Sequence, residues 1–371
     1  MAKRILQVIG IMNRGGAETM IMNFYRSIDR TKYQFDFLVF SDKPGDYDAE
    51  IKELGGKIYR LPVFKIYNYF TFKAAVKRFF SEHHWDVIHG HIRSSASIYL
   101  EEAKKYGSYA VAHCHSTDGE NFIIRTLYHI LTYRIRYVAD YFMACSIEAG
   151  KAGFGKKVIN TDRFMVLKNA INCNAYRYSE NRHSSLKEQF GLEKKIVIGH
   201  IGRFVEVKNH EFLVDVFYEI QKDRENAVLV LVGRGKLEKK IKEKAMQLGI
   251  EEKVKFMGVR ADIPDMMNLF DVFIFPSHYE GLGIVGIEAQ AAGLPCVFSD
   301  NIPQEAIITN NVIRLSLEEK AKKWAETIIK MCDKYTREDE YEVIRANGYD
   351  IENETEKLIK IYEKGFKKAE K

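Results

Sequence analysis

Short runs rich in β-branched and aromatic residues recur along the chain, separated by longer stretches whose apolar residues return at helical spacing. In the first half, RILQVIG (4–10), QFDFLVF (34–40), KIYRL (57–61), DVIHGH (86–91), YAVAHCH (109–115), YFMACS (141–146) and RFMVLKN (163–169) predict strands. In the second half, KIVIGHI (195–201), AVLVLVG (227–233), KVKFMG (253–258), DVFIFPS (271–277) and PCVFS (295–299) do the same. Near-continuous apolar strands that alternate with helices belong to parallel sheets covered on both faces. Two such sets predict two doubly wound α/β domains. The seam falls between Ala170 and Leu192, in a polar stretch without strand character. The last segment, GYDIENETEKLIKIYEKGFKKAEK, reads as a charged amphipathic helix with no strand after it. No solenoid repeat or low-complexity tract interrupts the pattern.

Composition narrows the class. A length of 371 residues suits two domains, and an apolar content of 46% is that of an ordinary globular protein. No apolar run approaches bilayer length. MAKRILQVIG, followed at once by Asn13 to Glu18, reads as a first strand rather than a secretory leader. The five cysteines (Cys114, Cys145, Cys173, Cys296, Cys332) are scattered, odd in number and without metal-ligand spacing. That pattern fits a reduced, cytoplasmic protein with structural cysteines. The net charge of +6 is modest and does not call for nucleic acid as a partner.

Four stretches carry candidate chemistry. In HYEGLGIVGIEAQAAGLPC (278–296), Glu280 falls just beyond a strand end, where ligands of open α/β sheets sit. Gly281 and Gly283 allow a tight turn, and a helix starting near Gly283 aims free amides at an anion. Glu288, one or two turns in, is an acceptor for hydroxyls. Two acceptors beside an anion seat suit a sugar joined to a phosphate. The bland alternative is a solvated helix with two surface acids, which the apolar neighbours Leu282, Ile284, Val285, Ile287 and Ala289 disfavour. In GHIGRFVEVKNHE (199–211), Arg203 and Lys208 follow a strand end at Gly202. A guanidinium fork and a compact ammonium there would flank a diphosphate. In GIMNRGGAE (10–18), Gly15 and Gly16 either admit a phosphate or sugar to the backbone or merely make a turn; the stretch is not the GxGxxG of dinucleotide binding, which disfavours a dehydrogenase. In HCHSTD (113–118), His115 reads as a positioning histidine and His113 as buried. No further ligands appear placed to complete a metal site, and the other histidines form no evident cluster.

Taken together these stretches resemble the retaining glycosyltransferases of family 4, with the GT-B fold, over nearly the whole chain. EGLGIVGIEAQAAGLP matches the family's frame with its paired glutamates, here Glu280 and Glu288. GRFVEVKNHEFLVDVF resembles its diphosphate-binding segment, GGAE its N-terminal glycine loop, VGRGKLE (232–238) its glycine segment at Gly233, and LKNAIN (167–172) the segment before its linker. ACSIEAGKAGFG (144–155) and HCHSTD look closest to members that build capsule or exopolysaccharide. SDNIPQEAI (299–307) departs from the family at Asn301 to Pro303, so the sugar's identity does not carry over.

The resemblance implies two Rossmann-like domains facing across a cleft: an acceptor-binding domain over 1–175, joined by the closing helix 347–371, and a donor-binding domain over 176–346. It implies a nucleotide-sugar donor, with uridine expected as the base, and no metal or other cofactor. Glu288 would accept from the ribose, and Glu280 from hydroxyls of the transferred sugar. Arg203 and Lys208 would neutralise the departing diphosphate, with amides of Gly281 to Val285 beside it, and His115 would orient the sugar. The acceptor is expected to be a saccharide, lipid-linked if the basic, aromatic stretches FKIYNYFTFKAAVKRFF (64–80) and FIIRTLYHILTYRIRYVADYF (122–142) meet the inner face of the cell membrane. Equally, their apolar faces could be core. Two rival readings share the architecture. A nucleotide-sugar epimerase would need no acceptor. A non-catalytic partner subunit should have lost some of Glu280, Glu288, Arg203 and Lys208, yet all four stand.

Overall fold

A computed structural model describes residues 2–115 and 132–369. Residues 122–131 of the second basic stretch, and Ser116 to Asp118 after the histidine strand, lie outside the described residues. The chain divides into two compact units, Met1–Ile171 with Gly348–Lys371, and Asn172–Asn347.

The first unit is built on a sheet of seven strands: β1 (Lys3–Ile9), β2 (Tyr33–Val39), β3 (Ile58–Arg60), β4 (Val87–Gly90), β5 (Tyr109–Cys114), β6 (Tyr141–Ala144) and β7 (Phe164–Val166). They are all parallel, in the order β3-β2-β1-β4-β5-β6-β7. The order reverses between β1 and β4, the switch point of a doubly wound sheet. Alternate residues of each strand enter different cores. Ile5, Phe35, Phe37, Val87 and Val111 pack with Met20 and Phe24 of helix Gly16–Ser27 and with Leu358, Tyr362 and Phe366 of the closing helix Ile351–Ala369. Leu6, Leu38, Ile88, Ala110 and Phe142 pack with Phe72, Val76, Tyr99 and Leu100 on the other face. The closing helix therefore finishes the N-terminal sheet rather than the unit that precedes it in sequence. Its backbone lies so close to the strands that a Cβ on Gly365 would stand 2.7 Å from Val87. Glu363 anchors its outer side, accepting from Lys3 Nζ at 2.9 Å and Tyr33 OH at 2.8 Å.

The second unit holds β8 (Ile196–Ile201), β9 (Ala227–Val232), β10 (Val254–Phe256), β11 (Val272–Phe275), β12 (Cys296–Ser299) and β13 (Val312–Leu315). They too are parallel, ordered β10-β9-β8-β11-β12-β13. Ile198, Leu229, Leu231, Ile274 and Val297 meet Leu213, Val214 and Phe217 of helix His210–Asp223 and Trp324 and Ile328 of helix Ala321–Lys334. β13 is absent from the sequence expectation. It is four residues long, contains Arg314, and lies half-exposed at the sheet edge, so it carries no continuous apolar run. The polar seam is helical. Helices Cys173–Tyr176 and Glu180–Phe190 start at Asn172 and Ser179, whose side-chain oxygens accept from Ala175 N and Arg182 N.

One half-buried cation organises the helix ends of this unit. The Arg337 guanidinium donates to the carbonyls of Met267, Asn268, Phe270 and Ala292 at 2.8–3.2 Å. These are orphan carbonyls at the ends of helices Ile263–Leu269 and Ile284–Ala291, and Tyr178 covers the guanidinium at 4.1 Å.

Candidate functional site

In the second unit the site grows from the ends of β8, β9 and β11. After β11 the chain runs through Glu280 to Gly283, which takes φ 78 and starts helix Ile284–Ala291. Only glycine fits, because a Cβ there would stand 2.8 Å from the Phe275 ring as well as adopt a left-handed backbone. The turn leaves the first helical amides without intrahelical partners. Gly281 has open space where a side chain would be. Leu282, Ile284 and Val285 are half-buried to buried.

Lys208 ends the short helical turn Glu206–Lys208, and Asn209 follows with φ 54. Asparagine is one of the few side chains that tolerate this conformation. The turn brings Lys208 Nζ to 2.5 Å from Glu280 Oε1, with the side chains only 16% and 11% exposed. The ammonium also lies 5.3 Å from the Phe275 ring centroid. His278 N donates to Val207 O at 2.8 Å, tying the two loops together. Arg203 is exposed and makes no ion pair among the described residues. Gly233, with φ 139, lies against Gly202, and a Cβ on it would stand 2.0 Å from the Gly202 carbonyl oxygen. Its glycine thus has a packing reason, at the strand end that leads into Arg203.

Glu288 is buried inside the helix, 7% exposed, and its Oε1 accepts from Tyr176 OH at 2.8 Å. Burial pushes its carboxyl up to about 7, against the opposing pull of the Tyr176 hydrogen bond. The two glutamates therefore differ: Glu280 is neutralised by an ammonium, and Glu288 shares its site with a neutral phenol. Tyr176 lies in the polar seam and was not among the expected site residues. Nothing in its immediate sequence marks it.

In the first unit, Gly15 caps helix Gly16–Ser27, and the Glu18 carboxylate lies over it, 2.4 Å from where a Cβ would stand. Open space surrounds Gly16. The expectation that the histidines form no cluster is overturned. β4 pairs with β5 so that His89 lies opposite Val111, which turns His89, His91, His113 and His115 to one face. Their rings stack, with centroids 4.2 Å apart for His89 and His91 and 4.1 Å for His113 and His115.

The hydrogen bonds assign the protons. Gln7 Nε2 donates to Tyr362 OH at 3.1 Å, so the phenol's own proton goes to His89 Nδ1 at 2.7 Å. His89 Nε2 then donates to His113 Nδ1 at 3.2 Å. On the other branch His91 Nε2 donates to Gln7 Oε1, and His115 Nε2 donates to His91 Nδ1, both at 2.8 Å. His113 Nε2 and His115 Nδ1 are left buried without partners among the described residues. Burial, with neighbouring rings adding to it, holds His89 down to about 3 and His91 and His113 well below the ordinary range; burial brings His115 to about 4. All four rings are neutral at physiological pH. The signal was present in the sequence as two HxH triplets, HGH and HCH, on consecutive strand candidates.

Two family models match the chain: Glycosyltransferase Family 4 over residues 14–175 and Glycosyl transferases group 1 over residues 183–350. The putative glycosyltransferase EpsF of Bacillus subtilis is 35% identical over 369 residues, covering 97% of this chain and 96% of that protein. The chain belongs to the family 4 and group 1 glycosyltransferases. The capsular polysaccharide biosynthesis glycosyltransferase CapH of Staphylococcus aureus is 25% identical, over 97% of this chain and 98% of CapH. Among solved structures, Anabaena Alr3699/HepE in complex with UDP superposes with a TM-score of 0.77 at 18% identity, over 97% of this chain and 100% of that one. The GT-B fold implied by the motifs is therefore the fold of this glycosyltransferase.

Within the enzyme's second unit the structure joins Lys208 to Glu280, Gly283 to Phe275, and Gly233 to Gly202. The basic, aromatic stretch of the first unit divides. Phe72, Val76, Phe79 and Phe80 are core, as one of the two readings held. Val63, Ile66, Tyr67 and Phe70 are exposed, the last two by 82% and 85%. No helix among the described residues is long and apolar enough to cross a membrane.

Proposed function

We propose that this glycosyltransferase moves a sugar, with retention of anomeric configuration, from a uridine diphosphate sugar to a saccharide acceptor during capsule, exopolysaccharide or other cell-surface glycan synthesis. The observation that carries the reading is the Lys208–Glu280 pair beside the glycine-opened N-terminus of helix Ile284–Ala291. It supplies a cation and free amides for a diphosphate and a carboxylate for sugar hydroxyls. The relatives support the glycan class, and the UDP in HepE supports the nucleotide.

In this reading the donor-binding domain spans 176–346, and the acceptor-binding domain 1–175 with 347–371. Glu288 accepts from the ribose hydroxyls. Lys208, Arg203 and the amides of Gly281 to Val285 hold the diphosphate, with Gly233 keeping the strand end behind Arg203 in place. Glu280 orients the transferred sugar, and His115 orients it near the anomeric carbon. Gly15 and Gly16 admit the donor to the backbone. The glycosidic bond to phosphate breaks while the acceptor hydroxyl bonds to the anomeric carbon on the same face. The departing phosphate oxygen takes the acceptor's proton. The developing negative charge falls on Lys208, Arg203 and the helix amides, so the transfer runs without a metal. Preorganised charge of this kind commonly contributes more to an enzyme's rate than any other single effect.

The acceptor is lipid-linked, presented at the inner face of the cell membrane. Exposed Ile66, Tyr67 and Phe70 next to Lys65, Lys77 and Arg78 support it, because apolar rings and cations together suit an anionic bilayer surface. The test is a panel of nucleotide sugars read by nucleotide release, with hydrolysis included. Release of UDP from one donor, rising with a saccharide acceptor, is expected. Conversion of the donor to another nucleotide sugar with no nucleotide released would refute the transfer and reveal an epimerase.

A further inference from the structure

We propose that the first unit binds one divalent transition-metal ion of the zinc class on His89, His91 and His113, as a fastener of the fold separate from the sugar-transfer chemistry. The proposal goes beyond the transferase reading and does not rest on it. Each of the three side chains offers a ring nitrogen, and these lie within 4.8 Å of one another. His89 Nε2 and His113 Nδ1 are 3.2 Å apart. A tetrahedral zinc ion with bonds of about 2.0–2.1 Å holds its ligand nitrogens roughly 3.3–3.4 Å apart, so these two need hardly move.

The surroundings are those that orient histidine ligands. A ligating imidazole uses one nitrogen on the ion and gives the other N–H to a fixed acceptor. An ion on His89 Nε2 displaces the proton that nitrogen carries in the metal-free chain; with the proton on Nδ1 instead, the bond to Tyr362 reverses and Nδ1 donates to the phenol oxygen at 2.7 Å. Whichever nitrogen of His91 turns to the ion, the other keeps a partner, Gln7 Oε1 or His115 Nε2, each at 2.8 Å. His113 Nδ1 already presents its lone pair toward His89 Nε2, and the ring is fixed in that orientation by stacking on His115, with Nε2 buried and without a partner among the described residues. Neutral imidazoles favour zinc, cobalt, nickel or copper over magnesium or calcium. Three histidines leave a fourth position for water.

The ligands come from two adjacent strands, and Tyr362 comes from the closing helix. An ion here ties the helix to the sheet through His89. The glutamate and lysine assigned to the donor belong to the other unit, so metal loss should lower stability without acting on the diphosphate.

The test uses untagged full-length protein, stripped with a chelator and titrated with Co²⁺. One equivalent should produce the intense visible absorption of a four-coordinate site, reversed by Zn²⁺, and Zn²⁺ should raise the melting temperature. His113→Gln should lose the band, Tyr362→Phe should bind about ten- to a hundredfold more weakly, and the exposed-site control His84→Gln should match wild type. If wild type gives only the weak absorption of hexa-aqua cobalt, or His113→Gln titrates as wild type does, the proposal fails. Should His113→Gln not fold, the wild-type titration decides alone, four-coordinate absorption at one equivalent supporting the site and its absence overturning it.

Discussion

Replacing Glu288 with glutamine tests whether the buried carboxyl inside helix Ile284–Ala291 is the ribose acceptor. Burial raises its pKa from the ordinary 4.5 to about 7. A carboxyl raised on folding binds more protons in the folded chain than in the unfolded one. Stability therefore falls as the pH rises from 4.5 to about 7 and is level above that. A gap of that size corresponds to about 3 kcal/mol. Glu288→Gln keeps an oxygen for Tyr176 OH but cannot ionise. It should be more stable than wild type by up to about 3 kcal/mol at pH 8 and no more stable near pH 4.5.

Donor binding adds a second readout. On this assignment ribose hydroxyls donate to the carboxylate, so binding selects the ionised form. With a pKa of about 7, only about a tenth of the chains are ionised at pH 6 and about nine tenths at pH 8, which weakens UDP binding about tenfold at the lower pH. Calorimetry at pH 7 in two buffers of different ionisation enthalpy should show about half a proton released per UDP bound. The difference between wild type and Glu288→Gln cancels the nucleotide's own titration. The assignment fails if the variant releases the same protons as wild type, or if its stability shows no gain between the two pH values.

Lys208→Ala or Glu280→Ala should leave a folded protein with transfer reduced about a hundred- to a thousandfold, read by nucleotide release with circular dichroism as the fold control; near wild-type turnover in either would overturn the roles. Lys208→Ala should also destabilise the chain by about 3 kcal/mol or more, because it strands the 11%-exposed Glu280 side chain without its cation; urea denaturation measures this, and adding Glu280→Gln should restore part of the stability and none of the activity. Arg337→Met should cost about 3 kcal/mol or more in denaturant, since the buried carbonyls of Met267, Phe270 and Ala292 lose their donor while Asn268 O keeps only His183 Nδ1; a loss under about 1 kcal/mol would show that water replaces the guanidinium. Tyr67→Ala with Phe70→Ala should abolish flotation with anionic liposomes at unchanged melting temperature, as both rings are exposed. Wild-type failure to float on such vesicles would refute the membrane contact.

What the sequence determined by itself is what neighbours in the chain determine. A strand buried on both faces must be apolar throughout, and this made the central strands legible; the short, half-exposed β3, β7 and β10 were legible only because apolar residues flank them in longer runs, and β13, half-exposed and carrying Arg314, has no such run. Gly283 marks a turn because its backbone angle excludes most other side chains, and the frame around Glu280 follows from that turn. Only the tertiary structure decided which distant groups meet. That Lys208 pairs with Glu280, that Tyr176 from the seam satisfies Glu288, and that Arg337 closes two helix ends all depend on how loops return to one sheet. The histidine cluster stands between these cases. Two HxH triplets are local, but their meeting depends on the register of β4 against β5, and Tyr362 arrives from a helix 273 residues after His89. Hydrophobic pattern is a property of the segment, whereas proximity is a property of the packed fold, and the chemistry of both units depends on proximity.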